Sequence, residues 1–195
     1  MSLEKILVVI PTYNESENIE KLIQELKSLE HHIMIVDDNS PDGTSEIVEN
    51  LKEKNNNLYL IKRESKLGLG SAYRDGFKAA MNMGYEFFVE MDADFSHQTI
   101  DLVEMIKNID KADVIIGSRY IEGGGIKGWN YKRRLLSKLA NLFTQILFGY
   151  HIKDSTSGFR IYNRESLEKI NFQKTKSDGY SLSLIHISEP TRLAT

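Results

Sequence analysis

Ile6-Leu7-Val8-Val9-Ile10 is an apolar run with no polar interruption, closed by Pro11. A strand of that kind must be covered on both faces, which is the situation inside a parallel sheet. Ile33–Val36, Leu58–Ile61, Phe87–Met91 and Val114–Ile116 are four further short strand candidates. Between them the apolar period changes. Ile19, Leu22, Ile23, Leu26 and Leu29 recur at helical spacing and predict an amphipathic helix that begins near Asn14 to Glu17. Further helices are expected over Thr44 to Lys54 and Gly68 to Met83. Strands alternating with helices of this length predict a doubly wound, parallel α/β sheet. Right-handed crossovers then bring every strand-to-helix loop to one edge, and the polar clusters of the sequence fall on those loops. With 195 residues, 41% of them hydrophobic, the chain is sized for one well-buried domain.

Bulk properties exclude several chemistries. The 25 basic and 28 acidic residues leave a net charge of −3, which gives nucleic acid no general attraction. Cysteine is absent, so disulfides, thiolate zinc sites and a Cys nucleophile are excluded. Met1-Ser2-Leu3-Glu4-Lys5 leads straight into the first strand without the layout of a signal peptide. No stretch approaches the roughly 18 apolar residues of a membrane-spanning helix. The expectation is a soluble or peripheral chain, with no internal repeat and no low-complexity linker.

The loop after the first strand, Pro11-Thr12-Tyr13-Asn14-Glu15, lacks the spaced glycines of a dinucleotide-binding turn and the lysine of a P-loop. Tyr13 can stack on a base, and Asn14 is expected as the helix N-cap. After the second strand comes Asp37-Asp38-Asn39-Ser40-Pro41-Asp42-Gly43-Thr44. Its Pro-Asp-Gly is a turn and Thr44 a cap, while the adjacent acids exceed what a turn needs and can accept hydrogen bonds from a base or ribose. Gly68-Leu69-Gly70-Ser71-Ala72-Tyr73-Arg74 falls one glycine short of a GxGxxG pattern and reads as tight helix–sheet packing.

Met91-Asp92-Ala93-Asp94 closes the fourth strand. Two carboxylates one residue apart project to the same side in extended geometry, at the sheet edge where ligands bind in open α/β folds. Hard oxygen donors of this kind suit Mg2+ or Mn2+ shared with substrate phosphates. Taken alone, a pair of solvated loop acids has the same signature.

In order along the chain, PTYNE, VDDNSPDGT, GLGSAYRDGFKAA, MDADFSH, GSRYIEGG, KRRLLSKLAN and DSTSGFR resemble the polyprenyl-phosphate (dolichyl-phosphate) mannose synthases of glycosyltransferase family 2, over roughly residues 5 to 182. The resemblance implies a GT-A fold, a Rossmann-like, mostly parallel sheet flanked by helices. It also implies transfer of mannose from GDP-mannose to a polyprenyl phosphate, inverting the anomeric centre, with Mg2+ or Mn2+. Carried over by motif position, Pro11, Tyr13 and Glu15, with Asp37 and Asp38, would bind the nucleoside. Asp92, Ala93 and Asp94 would meet the diphosphate, Asp92 and Asp94 holding the metal. Arg119, Arg133 and Ser137 would meet the acceptor phosphate, so that Asp94, Arg119 and Arg133 are the expected catalytic set. Some relatives carry a Gln ligand where this chain has Ser96, followed by His97, which is expected as a hydrogen-bonding wall residue rather than a metal ligand.

Arg suits phosphate because it offers a planar fork of donors; beside Lys132 and Arg134, Arg133 also fits a solvated basic face. A phosphate monoester has a second pKa near ~6 and is already largely an anionic nucleophile at neutral pH. A hydroxyl acceptor would instead require a base, for which Asp154 is the candidate; with a phosphate acceptor, Asp154 is expected to order the acceptor loop. Leu135, Leu139, Leu142, Phe143 and Ile146 form a helical stripe flanked by Lys132, Arg133, Arg134 and Lys138. That pattern fits an anionic membrane surface and equally an ordinary core helix. The expected location is cytoplasmic, peripheral at the cytoplasmic face of a membrane.

The resemblance ends after Tyr180-Ser181-Leu182. Residues 183–195, SLIHISEPTRLAT, show none of the basic or membrane elements with which relatives continue. The expectation is a catalytic domain over 1–182, truncated at its C-terminus, with a non-native tail over 183–195. Alternatives are a family 2 transferase using UDP-glucose or another nucleotide sugar, an inactive nucleotide-sugar-binding fragment, and a haloacid-dehalogenase-like phosphatase. The last normally carries its Asp-x-Asp on the first strand, not the fourth.

Overall fold

The computed structural model describes residues 5–118, 120, 154, 157–170 and 193–194. The chain alternates strand and helix as the periodicities predict: β1 (Ile6–Thr12), α1 (Ile19–Ser28), β2 (His32–Asp37), α2 (Thr44–Lys52), β3 (Leu58–Lys62), α3 (Leu69–Asn82), β4 (Phe87–Glu90), α4 (Thr99–Ile106), β5 (Val114–Ile116), β6 (Arg160–Asn163), α5 (Arg164–Ile170) and β7 (Leu193–Ala194). The sheet order is β3-β2-β1-β4-β6-β5-β7.

β1 pairs in parallel with β2 on one side and with β4 on the other. The chain therefore winds outward from β1 through β2 to β3, then returns to lay β4 against the opposite edge of β1. That reversal is a topological switch point, where the loops at the carboxyl ends of β1 and β4 diverge and leave a crevice. The sequence expected β5 in series with β4. Instead β6 intervenes, antiparallel to both, so the sheet is mixed and its parallel part is β3-β2-β1-β4. Leu193 and Ala194 pair in parallel with β5; the rest of the expected 183–195 tail lies outside the described residues.

The apolar run of β1 is buried on both faces, as its lack of alternation requires. Ile6, Val8 and Ile10 point into one cluster with Ile19, Leu22, Ile23 and Leu26 of α1, Val48 of α2, and Leu102 and Met105 of α4. Leu7 and Val9 point into the other, with Ala72, Tyr73, Phe77 and Ala80 of α3 and Leu167 of α5. Helix α3 rides close on the sheet at Gly76, where a Cβ would stand 2.4 Å from Cγ1 of Val9.

Two local expectations are corrected. Asn14 is not the cap of α1: it is left-handed, with φ 62°, and the position before the helix is Asn18, which makes no side-chain cap bond. Thr44 is not the cap of α2 but its first helical residue: the position before it is Gly43 at φ 90°, with no side-chain cap bond, and Oδ1 of Asp42 accepts the Thr44 N–H at 3.1 Å.

Candidate active site

Four loops meet at the carboxyl edge of the β1–β4 crevice. The first two are laced together through backbone donors. The N–H of Asn14 donates to Ser40 Oγ at 3.0 Å, that of Glu15 to Thr44 Oγ1 at 3.0 Å, and that of Ser16 to Asp42 Oδ2 at 2.9 Å. These bonds hold the segment after β1 open across the β2 loop. Pro11 is half-buried at the end of β1 and Tyr13 is exposed. Lys66 Nζ sits 3.6 Å from the centroid of the Tyr13 ring. Glu15 turns back on its own loop, accepting from Asn18 Nδ2 at 2.9 Å.

Asp37 and Asp38, adjacent in sequence, do different work. Asp37 is fully buried, and its carboxylate accepts the hydroxyls of Thr12, Ser40 and Ser45 and the N–H of Ser40 at 2.6 to 2.9 Å. Burial alone would raise its pKa, but those bonds outweigh it and hold the group below its ordinary value. Every lone-pair direction is occupied from within the protein, so Asp37 shapes the loop from beneath. Asp38 forms a buried ion pair with Arg63, and its Oδ2 accepts the N–H of Gly68 at 2.9 Å. Gly68 has φ 91°, a left-handed conformation that glycine adopts without strain. The glycine-rich segment thus presents a backbone donor to the β2 loop.

The acidic pair lies across the crevice. Strand β4 ends at Glu90, one residue earlier than the periodicity suggests. Met91 keeps a last bond to β1, its N–H donating to the Val9 carbonyl at 3.3 Å. Asp92 then faces inward with 20% of its side chain exposed, Ala93 packs into the core, and Asp94 is exposed. Asp94 Oδ1 accepts the N–H of Ser96 at 2.9 Å. The turn is closed by Phe95 at φ 57°, a costly conformation for a bulky residue. Burial and the charge of Asp94 push Asp92 up to about 6, against the lowering effect of the Tyr73 hydroxyl.

Two residues outside the expected set touch Asp92. The Tyr73 hydroxyl donates to Asp92 Oδ1 at 3.2 Å, and burial, with the nearby carboxylates, keeps that phenol neutral. His97 Nδ1 accepts the Asp92 backbone N–H at 3.2 Å, which bears out its reading as a hydrogen-bonding wall. Its ring stacks on Phe159 with centroids 4.8 Å apart and planes at 8°. Tyr73 had a signal in the sequence: a Tyr on the buried face of a helix needs a partner for its hydroxyl.

Beneath the acids lies a second polar cluster that the apolar look of the fourth strand concealed. Glu90 opposes Arg160 across the β4–β6 ladder and accepts the Tyr162 hydroxyl at 3.2 Å. Burial pushes Glu90 up to about 7, moderated by Arg160 and Tyr162 and reinforced by Asp92. Asp154, the candidate base for a hydroxyl acceptor, is fully buried and its charge bears on Arg160. Ser157 Oγ donates to the Gly117 carbonyl at 2.7 Å and the Gly117 N–H to the Phe159 carbonyl at 2.8 Å. The loop leading toward residue 119 is thereby tied to the one preceding β6. Arg119, Arg133, Ser137 and the apolar stripe from Leu135 to Ile146 lie outside the described residues.

The donor set suits a hard dication. Two neighbouring carboxylates, of which Asp92 is desolvated and further raised by the charge of Asp94, form a negative centre that Mg2+ or Mn2+ would offset, with substrate oxygens and water completing its shell. Among the described residues no group of three or more His, Cys, Asp or Glu side chains is placed to hold a metal ion.

Comparison with known proteins agrees with this arrangement. The family model described as Glycosyl transferase family 2 matches residues 7–171. A polyprenol monophosphomannose synthase of Mycolicibacterium smegmatis is 41% identical over 185 residues, 93% of this chain and 70% of that protein. An undecaprenyl-phosphate mannosyltransferase of Micrococcus luteus is 35% identical over 182 residues, 92% of this chain and 75% of that one. Among solved structures, a mannosyltransferase from Pyrobaculum calidifontis in complex with GDP-Man and Mn2+ superposes with a TM-score of 0.66 at 18% identity. It covers 98% of this chain, which spans 54% of its length. HddC from Yersinia pseudotuberculosis gives a TM-score of 0.55 at 15% identity, covering 96% of this chain and 88% of its own. At such identities the structural likeness establishes the fold, which is GT-A-like.

Proposed function

The chain belongs to glycosyltransferase family 2, and from that premise we propose that it transfers mannose from GDP-mannose to the phosphate of a polyprenyl lipid, inverting the anomeric centre. The observation that carries the reading is the Asp92–Asp94 pair at the β1–β4 switch point, in a chain 41% identical to a polyprenol monophosphomannose synthase.

A phosphate oxygen of the acceptor attacks C1 of mannose, the new C1–O bond forms as the bond from C1 to the GDP diphosphate breaks, and GDP departs. With its second pKa near ~6, the phosphate needs no protein base, consistent with the burial of Asp154. Asp92 and Asp94 hold the divalent ion, which when bound stabilises the negative charge of the departing diphosphate. Tyr13 and Asp38, framed by Pro11 and Glu15, face the nucleoside, and Asp37 acts through the loop it orders. Ala93, whose side chain packs into the core, contributes through its backbone to the diphosphate side. Arg119, Arg133 and Ser137, by their motif positions, meet the acceptor phosphate, and positioning of that anion in line with C1 is the protein's remaining task.

A polyprenyl phosphate resides in a membrane, so the reaction takes place at a membrane surface, on the cytoplasmic side where nucleotide sugars are supplied. Among the described residues no helix is long and apolar enough to cross a membrane, and the stripe from Leu135 to Ile146 is the segment we assign to the lipid surface. GDP release from GDP-mannose that requires both a dication and added polyprenyl phosphate tests the function. UDP release from UDP-glucose under the same conditions would replace the donor, and lipid-independent release would indicate a hydrolase.

A further inference from the structure

Asp92 is held from two sides, by helix α3 and by the far end of its own loop. From α3, the Tyr73 hydroxyl reaches Asp92 Oδ1 at 3.2 Å. From the loop before α4, His97 Nδ1 receives the Asp92 N–H at 3.2 Å, which leaves the imidazole proton on Nε2, 4.0 Å from Asp92 Oδ2. The Tyr73 ring is itself fixed: it is 4% exposed and stacks on Phe77 with centroids 5.8 Å apart. α3 cannot shift away freely because Gly76 lets it close on Val9.

A buried phenol can satisfy its hydroxyl on any nearby carbonyl. Here it bonds to a carboxylate that already feels the charge of a second one, Asp94. A neutral donor there fixes one oxygen without cancelling the charge, so the group keeps its full attraction for a cation while losing rotational freedom. A lysine or arginine in the same place would do the opposite, supplying the positive charge itself.

We infer that Tyr73 is a positioning residue of the metal site, its hydroxyl locking the Asp92 carboxylate in the orientation that, together with Asp94, receives the divalent ion. The inference rests on the proposed function. Partners behind a metal-binding carboxylate typically account for about 10–100-fold in metal affinity, so removal of one hydroxyl has a measurable effect without abolishing the site.

The test is calorimetric titration of GDP into the full chain, with and without Mn2+, for wild type, Tyr73→Phe and Asp92→Asn. The readout is the ratio of the two GDP affinities, which a general loss of packing does not change selectively; circular dichroism and a cooperative melt verify the fold of each variant. We expect a large ratio in wild type, a ratio about 10-fold lower in Y73F, and a ratio near one in D92N. A Y73F ratio equal to wild type, with D92N still near one, overturns the role of Tyr73 and leaves the proposed function standing. A wild-type GDP affinity indifferent to Mn2+ overturns both.

Discussion

Arg63 Nε lies 2.8 Å from Asp38 Oδ1, with the two side chains only 3% and 6% exposed. The pair joins the loop after β3 to the loop after β2. A second guanidinium nitrogen, Nη2, donates to Ser71 Oγ at 2.6 Å, so Arg63 also fixes the first turn of α3.

Removal of one partner leaves the other charge buried and uncompensated, which costs about 3–5 kcal/mol. Arg63→Ala is therefore expected to lower the unfolding free energy by that amount in urea titrations. A loss below about 1 kcal/mol, the range of exposed pairs, would show that the buried pair does not hold these loops.

Gly76→Ala should separate α3 from β1. The added methyl would meet Val9 Cγ1 at 2.4 Å, and overpacking of this kind costs about 1–3 kcal/mol. Because Tyr73 lies on the same helix, the variant should also lose part of its Mn2+-dependent GDP affinity. Stability and metal response are expected to fall together.

The β2 loop predicts an acid-sensitive limb. Asp42 is lowered from 3.8 to about 2: the burial contribution raises it, but bonds from Thr44 and Ser16 prevail. A depressed carboxylate adds stability that is present above its unfolded value and is lost as pH falls through the folded one. Wild type should lose that increment between pH 3.8 and about 2, whereas Asp42→Asn starts lower at neutral pH and converges with wild type below that window. Chemical denaturation at several pH values checks the convergence.

His31, at the opposite edge of the sheet, predicts a second pH effect. It is 3% exposed with neither ring nitrogen hydrogen-bonded, and burial, then the neighbouring His32, lower it from 6.5. A base depressed in the fold stays neutral while the unfolded chain takes up a proton, so stability drops as pH falls below 6.5. His31→Leu should melt with less dependence on pH between 7 and 5 than wild type; an unchanged dependence would assign the effect to another group.

Much of this was legible in the sequence because it follows from one-dimensional periodicity. The unbroken run of β1, the helical spacing of Ile19 to Leu26 and the glycine-rich entry to α3 each dictate an element whatever surrounds it. Asp92 and Asp94 were legible for the same reason, as acids directly following an apolar strand. The rest depends on contacts between distant segments. Asp37 and Asp38 look alike in the sequence, yet one is saturated by Thr12, Ser40 and Ser45 and the other meets Arg63, and only the packing of three loops separates them. Glu90 was hidden inside an apolar run because its partners, Arg160 and Tyr162, arrive on an antiparallel strand some seventy residues later. Asn14 misled because its residue type suits both a cap and a left-handed turn, and the loop lacing to Ser40 selects the turn.

Transfer of tritiated mannose from GDP-mannose into the lipid phase, with polyprenyl phosphate and a Mn2+ titration, tests the central claim most directly when wild type is compared with Asp94→Asn. The account predicts lipid-linked mannose that rises with Mn2+ and disappears on chelation in wild type, and none above background in D94N at any Mn2+ concentration that saturates wild type. Transfer by D94N at the wild-type rate, or wild-type transfer indifferent to chelation, would contradict it.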